Sequence, residues 1–173
     1  MIKSLFQYKE DYRKSVENPV EFWSEYSKSF LWKKEPSNIL SWNFEDPDVK
    51  WFFDGKLNIT ENIFERNKKN ENDTAIIWEP NEPNDKNIEL SYSQLFEEVC
   101  SFSNVLKSLG VKKGDRVIIY LPMIPEAAIS MLACARIGAV HSVVFAGFSA
   151  KSLSDRINDC KAKVVVTSDG NYR

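Results

Sequence analysis

Residues 116–167, RVIIYLPMIPEAAISMLACARIGAVHSVVFAGFSAKSLSDRINDCKAKVVVT, alternate short apolar runs with longer helical patterns. The apolar runs are rich in β-branched residues and short enough to be buried strands, and they lie at 116–121, 141–145 and 164–167. The helical patterns between them span 126–137 and the segment from Ser149 to near Cys160. Apolar strands that alternate with helices favour parallel pairing through right-handed crossovers. The sequence therefore predicts an α/β fold with a doubly wound parallel sheet and crossover helices.

The predicted helices have recognisable ends. Pro125 suits the first turn of the helix over 126–137, and Gly138 follows its last residue. This helix is apolar almost all the way round, so we expect it to be packed on more than one side. Upstream, Ser91 and Gln94 have the spacing of a capping box, and an amphipathic pattern follows until Gly110. A further helix is therefore predicted immediately before the first strand of the sheet.

The first half of the chain has a different character. Residues 1–90 hold all five tryptophans, with 13 basic and 18 acidic residues, whereas residues 91–173 hold 10 basic and 7 acidic residues. We expect an irregular helical and aromatic layer there, with a turn at Asp54 and Gly55. Its predicted elements are a helix near 20–30, a helix that starts within 59–66, and strands at 74–78 and 88–91 joined by a turn at 81–87.

Charge and cysteine content exclude several classes of protein. A net charge of −2 provides no basic field for nucleic-acid phosphates or for a membrane surface. No run of apolar residues is long enough for a membrane span or a signal sequence. Cys100, Cys134 and Cys160 are odd in number and widely spaced, which indicates neither a disulfide framework nor a zinc site. We expect a cytoplasmic protein with no nucleic-acid partner, no membrane partner and no metal ligands.

The carboxyl end of the second predicted strand carries the best candidate for a ligand site. Ligands of open α/β sheets gather there because the next helix presents free N–H groups. In HSVVFAGFS, residues 141–149, Gly147 allows a ligand to approach the backbone, and the helix after Ser149 directs its positive end to the same place. Arg173 follows the last predicted strand and could reach the same anion. On pattern alone, a tight turn at Gly147 and a solvated Arg173 remain the simpler interpretations.

The chain offers no candidate catalytic residues. His141 is its only histidine and has no cysteine or second histidine at ligand spacing, so we expect a hydrogen-bonded structural residue. No nucleophile, base and orienting group occur together in a recognisable pattern. The chain by itself is therefore predicted to be noncatalytic.

Residues 106–173, LKSLGVKKGDRVIIYLPMIPEAAISMLACARIGAVHSVVFAGFSAKSLSDRINDCKAKVVVTSDGNYR, closely resemble the N-terminal region of the AMP-forming acetyl-CoA synthetases, which are adenylate-forming enzymes. NPVEFW at 18–23 and KWFFDGKLN at 50–58 resemble the N-terminal extension of that family. The resemblance implies an extension over 1–72, followed by the start of a truncated AMP-binding large domain over 73–173. Synthetases for propionate or acetoacetate are close alternatives, although GFS at 147–149 is more similar to the acetate enzymes.

The resemblance implies a two-step reaction in the full-length enzyme. Acetate and Mg-ATP give acetyl-adenylate and pyrophosphate, and the thiol of coenzyme A then displaces AMP. The family's phosphate loop, acyl pocket, Mg²⁺ ligands and adenylation lysine follow the part of the sequence represented here. We therefore expect a segment that is inactive alone and needs the remainder of the synthetase chain. The alternative is a noncatalytic binding or regulatory module that stands by itself.

The resemblance also implies a part of the coenzyme A site. Phe145, Ala146 and Gly147 match the family's Phe-Gly-Gly at the nucleotide of coenzyme A. Arg173 matches the first arginine of an Arg-Gly-Gly-Lys-type loop that binds the 3′-phosphate. Ala146 departs from the more usual glycine, which puts close backbone approach at that position in doubt. A segment with this half of the site would bind coenzyme A weakly and would hold neither ATP nor Mg²⁺ tightly.

Overall fold

The computed structural model describes residues 2–170, which fall into two units divided between Asn58 and Ile59. In the first unit, two helices are followed by an antiparallel hairpin of two strands and by a second, short antiparallel pair of strands. The division between an N-terminal extension (1–72) and the start of the large domain (73–173), which the family resemblance implies, stays a prediction. The elements of the first unit are α1 (Leu5–Glu17), α2 (Pro19–Ser27), β1 (Trp32–Lys34), β2 (Asn38–Asn43), β3 (Asp48–Phe53) and β4 (Lys56–Leu57).

Parts of the first unit differ from the sequence-based prediction. The helix predicted near 20–30 is α2 and ends at Ser27, while α1 and the two small sheets were not predicted. α1 begins at the cap Ser4, whose side chain accepts a hydrogen bond from the backbone N–H of Gln7 at 3.1 Å. It buries none of its residues, and most residues of β2 and β3 are exposed. These elements therefore contribute little to a buried core, which is the feature that the prediction sought.

The second unit contains the predicted α/β layer. Two strands, at 74–78 and 88–91, form an antiparallel hairpin. Three further strands form a parallel sheet in which the strand at 116–120 lies between those at 140–143 and 164–167. The α/β class, the parallel sheet and its crossover helices are thus confirmed. The elements are α3 (Ile59–Arg66), a 3-10 turn (Lys68–Asn70), β5 (Thr74–Trp78), β6 (Ile88–Ser91), α4 (Tyr92–Ser108), β7 (Arg116–Tyr120), α5 (Pro125–Ile137), β8 (Val140–Val143), α6 (Ala150–Cys160) and β9 (Val164–Thr167).

The core of this unit lies between the sheet and the helices α4 and α5. Val117, Ile118 and Ile119 of the central strand are fully buried, as is Leu106 of α4. α5 packs against α3 and α4 and also against β7 and β8, which confirms that it is enclosed on more than one side. The sheet therefore provides a rigid base for the loops that follow its strands.

The end of β8 sets the shape of the loop that follows it. The strand was predicted over 141–145 but spans Val140–Val143, although the Val144 N–H still donates to the Ile119 carbonyl at 2.9 Å. The chain then turns, and the Phe148 N–H donates to the Phe145 carbonyl at 3.0 Å. Phe145 therefore belongs to the loop and not to the ladder of the sheet.

Candidate functional site

The candidate site is the loop 145–148 between β8 and α6. It lies at the carboxyl end of the parallel sheet, as the sequence predicts, because β7 and β8 run in the same direction. Ser149 caps α6, and its hydroxyl accepts a hydrogen bond from the Ser152 N–H at 3.3 Å. The positive end of α6 is thus directed to the residues of the loop.

Tyr120, the last residue of β7, contacts this loop. Its hydroxyl lies 2.9 Å from the carbonyl oxygen of Ala146 and 2.9 Å from that of Phe148. The two carbonyls flank Gly147, so one side chain from the central strand supports the middle of the loop. Sequence reasoning assigned Tyr120 only to its strand, and the one signal for more was a polar hydroxyl at the end of an apolar run.

Aromatic and cationic groups lie together at the loop. The Phe145 side chain is 68% exposed, and the Phe148 ring meets it edge to face at a centroid distance of 5.8 Å. The Arg156 guanidinium of α6 lies 4.8 Å from the centroid of the Phe148 ring. Arg156 Nη1 also donates to the hydroxyl of Ser152 at 2.7 Å. The loop thus presents an exposed aromatic face beside a fixed positive charge, which suits an aromatic anion.

The structure brings together three of the four predicted site residues. Phe145, Ala146 and Gly147 are consecutive in the loop, whereas Arg173 lies outside the described residues. His141 is exposed on β8, and its ring makes no hydrogen bond to residues 2–170, so the expectation of a hydrogen-bonded structural histidine is wrong. Three of the four residues of this strand are exposed, His141 among them, and Ser142 is half-buried.

The shifted pKa values in this unit belong to groups outside the loop. Burial raises the pKa of the Cys134 thiol to about 11, which makes that thiol a poor nucleophile. The hydrogen bond from the Lys112 N–H, followed by that from Lys163, lowers the pKa of Asp115, which lies before the amino end of β7. Residues 2–170 contain no group of three His, Cys, Asp or Glu side chains placed to hold a metal ion. No helix among them is both long and apolar enough to span a bilayer.

Two family models match successive parts of this chain. The model described as the acetyl-coenzyme A synthetase N-terminus matches residues 8–63, and the AMP-binding enzyme model matches residues 63–172. The second match contains the whole parallel sheet and the loop 145–148.

Curated relatives match over nearly the entire sequence. An acetyl-coenzyme A synthetase of Bradyrhizobium diazoefficiens is 52% identical over 170 residues, which are 96% of this chain and 26% of the relative. An acetyl-coenzyme A synthetase of Leptospira biflexa is 49% identical over 172 residues, which are 98% of this chain and 26% of the relative. The chain thus spans about a quarter of the length of these relatives.

A solved structure has the same fold over most of the chain. The acetoacetyl-CoA synthetase from Streptomyces lividans matches with a TM-score of 0.82 and 28% identity, over 91% of this chain and 24% of its own. The comparison of structures and the comparison of sequences therefore both match this chain to acyl-CoA synthetases. Since the AMP-binding model covers more than half of its residues, the chain belongs to the AMP-binding enzyme family.

Proposed function

We propose that this chain is the N-terminal segment of an AMP-forming acetyl-CoA synthetase. The observation that carries the proposal is the identity of about half of its residues with proteins named acetyl-coenzyme A synthetase, sustained over 96% of the chain. The full-length enzyme would join acetate to AMP from ATP with release of pyrophosphate, and the coenzyme A thiol would then take the acetyl group and release AMP. Propionate is the closest alternative acyl substrate, since the acyl pocket is formed by other parts of the enzyme.

Within that enzyme, the segment would form one wall of the site for the nucleotide of coenzyme A. The exposed Phe145 ring supports this role because an adenine ring stacks on an accessible aromatic face. Ala146 and Gly147 would bring the backbone close to the ligand. Arg173 would bind the 3′-phosphate through charge-assisted hydrogen bonds. The amino end of α6 and the Arg156 guanidinium give the same region a positive potential.

The chemistry of adenylation belongs to other parts of the enzyme. Residues 2–170 offer no cluster of ligands that fits Mg²⁺, so no step through the metal is assigned to them. ATP would supply the AMP leaving group of the activated acetate. The segment alone would not form acetyl-adenylate, and its full-length enzyme would be a cytoplasmic ligase of acetate metabolism.

The test is steady-state kinetics of the full-length enzyme with Phe145→Ala and, separately, Arg173→Ala. Loss of a base-stacking or phosphate contact should raise the KM for coenzyme A by about tenfold or more. The KM for ATP should change much less, because ATP would be bound elsewhere. Phe44→Ala is a matched control, since Phe44 is 85% exposed in the first unit. Equal effects on both substrates would overturn the assignment of the loop.

A further inference from the structure

We propose that Tyr120 is a positioning residue for the coenzyme A nucleotide, which it serves by fixing the loop 145–148. The inference rests on the proposed function, since it concerns the same loop. Tyr120 itself would not touch the ligand. It is the last residue of the central strand, next to the fully buried Ile118 and Ile119, so its backbone is held by the core.

The Tyr120 hydroxyl determines which way two peptide groups face. Its single proton serves two acceptors, the Ala146 and Phe148 carbonyls, each at 2.9 Å. In a planar trans peptide, the N–H points opposite to the C=O. The N–H groups of Gly147 and Ser149, which belong to the same two peptide groups, therefore point away from Tyr120. This arrangement directs two backbone donors outward from the strand at the amino end of α6.

A second contact supports the same loop from α6. Arg156 lies 4.8 Å from the centroid of the Phe148 ring, and that ring meets Phe145 edge to face. Phe145 can therefore stay exposed without losing its orientation. Tyr120 and Arg156 together preorganise the loop, so that coenzyme A binds without first having to order it.

The experiment compares Tyr120→Phe with the unmodified full-length enzyme. The variant loses only the shared hydrogen bond of the Tyr120 hydroxyl. The net free energy of one such bond corresponds to a rise of about three- to tenfold in the KM for coenzyme A. The kcat and the KM for ATP should stay within about twofold. Hydrogen exchange of the amides in 145–149 should become faster, while exchange in α5 is unchanged. Tyr92→Phe is the matched control, because it removes a hydroxyl at the start of α4 in the same unit.

The outcomes separate this inference from the proposed function. If Phe145→Ala raises the KM for coenzyme A but Tyr120→Phe does not, the loop binds the ligand and the positioning role is wrong. If neither variant changes that KM, the assignment of the loop to the coenzyme A site and the positioning role of Tyr120 both fail. A purely structural role would lower kcat and raise both KM values together. If Tyr120→Phe does not fold, Arg156→Lys tests the support of the loop, because lysine keeps the positive charge but loses the planar guanidinium over Phe148. Unchanged hydrogen exchange in 145–149 and an unchanged KM for coenzyme A would then overturn the inference.

Discussion

Asp54 holds together a turn in the first unit through two contacts distant in sequence. Its carboxylate accepts a hydrogen bond from the Ser37 N–H at 2.8 Å and pairs with the Lys34 ammonium. The hydrogen bond from Lys34, followed by that from Ser37, lowers the pKa of Asp54 to about 2 from its ordinary 3.8. The sequence predicts the turn at Asp54 and Gly55, but a pattern of neighbouring residues contains no information on a partner 20 positions away.

Asp54→Asn should therefore destabilise the chain at neutral pH and remove part of its sensitivity to acid. The lowered pKa means that the carboxylate stabilises the fold fully above pH 3.8, and that this contribution is lost as the pH falls through about 2. Asparagine tolerates the left-handed backbone at φ +57°, so strain is not added. The urea midpoint of the variant should lie below that of the unmodified chain at pH 7, and the two should converge between about pH 4 and 2. Asp46→Asn, in the exposed turn between β2 and β3, is the control; a constant difference across pH would contradict the role of the charge.

At the scale of elements, α5 ends through a left-handed glycine that the sequence indicated. Gly138 has φ +74°, and the Ala139 N–H donates to the Cys134 carbonyl at 2.9 Å, which closes the last turn. A Cβ at this position would lie 3.0 Å from Cγ of Lys113. The backbone therefore favours glycine here, and the Lys113 side chain would have to shift to admit a Cβ.

Gly138→Ala should lower the free energy of unfolding by about 1 to 2 kcal/mol from the backbone alone, with a further loss from the contact to Lys113. Gly114→Ala is a matched comparison, because Gly114 has φ +85° but a Cβ there would have no neighbouring atom within 4 Å. Urea denaturation measures the loss in free energy of unfolding for each variant. The difference between the two losses is the contribution of the contact to Lys113. A larger loss for Gly114→Ala than for Gly138→Ala would show that the contact to Lys113 has no energetic role.

The elements differ in how far the sequence could predict them. β7 and α5 were predictable because each is a continuous apolar run with several buried residues. α6 was predictable because its apolar residues recur at helical spacing after the cap Ser149. α1 buries none of its residues and the β2–β3 hairpin exposes most of its residues, so neither was recognised as part of a core. The candidate loop was found from its glycine and its capping serine. Its support by Tyr120 was not, since that contact joins residues 26 and 28 positions apart.

At the scale of the whole molecule, the parallel sheet has open edges within the part of the chain that the structure describes. β9 pairs with β7 there, and its other edge has no partner strand among residues 2–170. Val165 of β9 is 38% exposed, and beside the strand lies an open groove of about 420 Å³ lined in part by Phe102, Val105 and Val166. An unpaired apolar edge strand is a template for another chain. The remaining three-quarters of a synthetase would be expected to cover such a surface.

The isolated 173-residue chain should consequently self-associate through β9, and its average mass in sedimentation should rise with concentration. Val165→Lys should reduce this association, because a charged side chain on an edge strand opposes pairing with a second chain. Val49→Lys is the matched control, since Val49 is 63% exposed on β3 of the first unit, and removal of an exposed valine there should leave the association unchanged. If both variants reduce it equally, general apolar exposure is the cause and not the sheet edge. A chain that stays monomeric at every concentration would show that the edge of β9 is protected without a further strand.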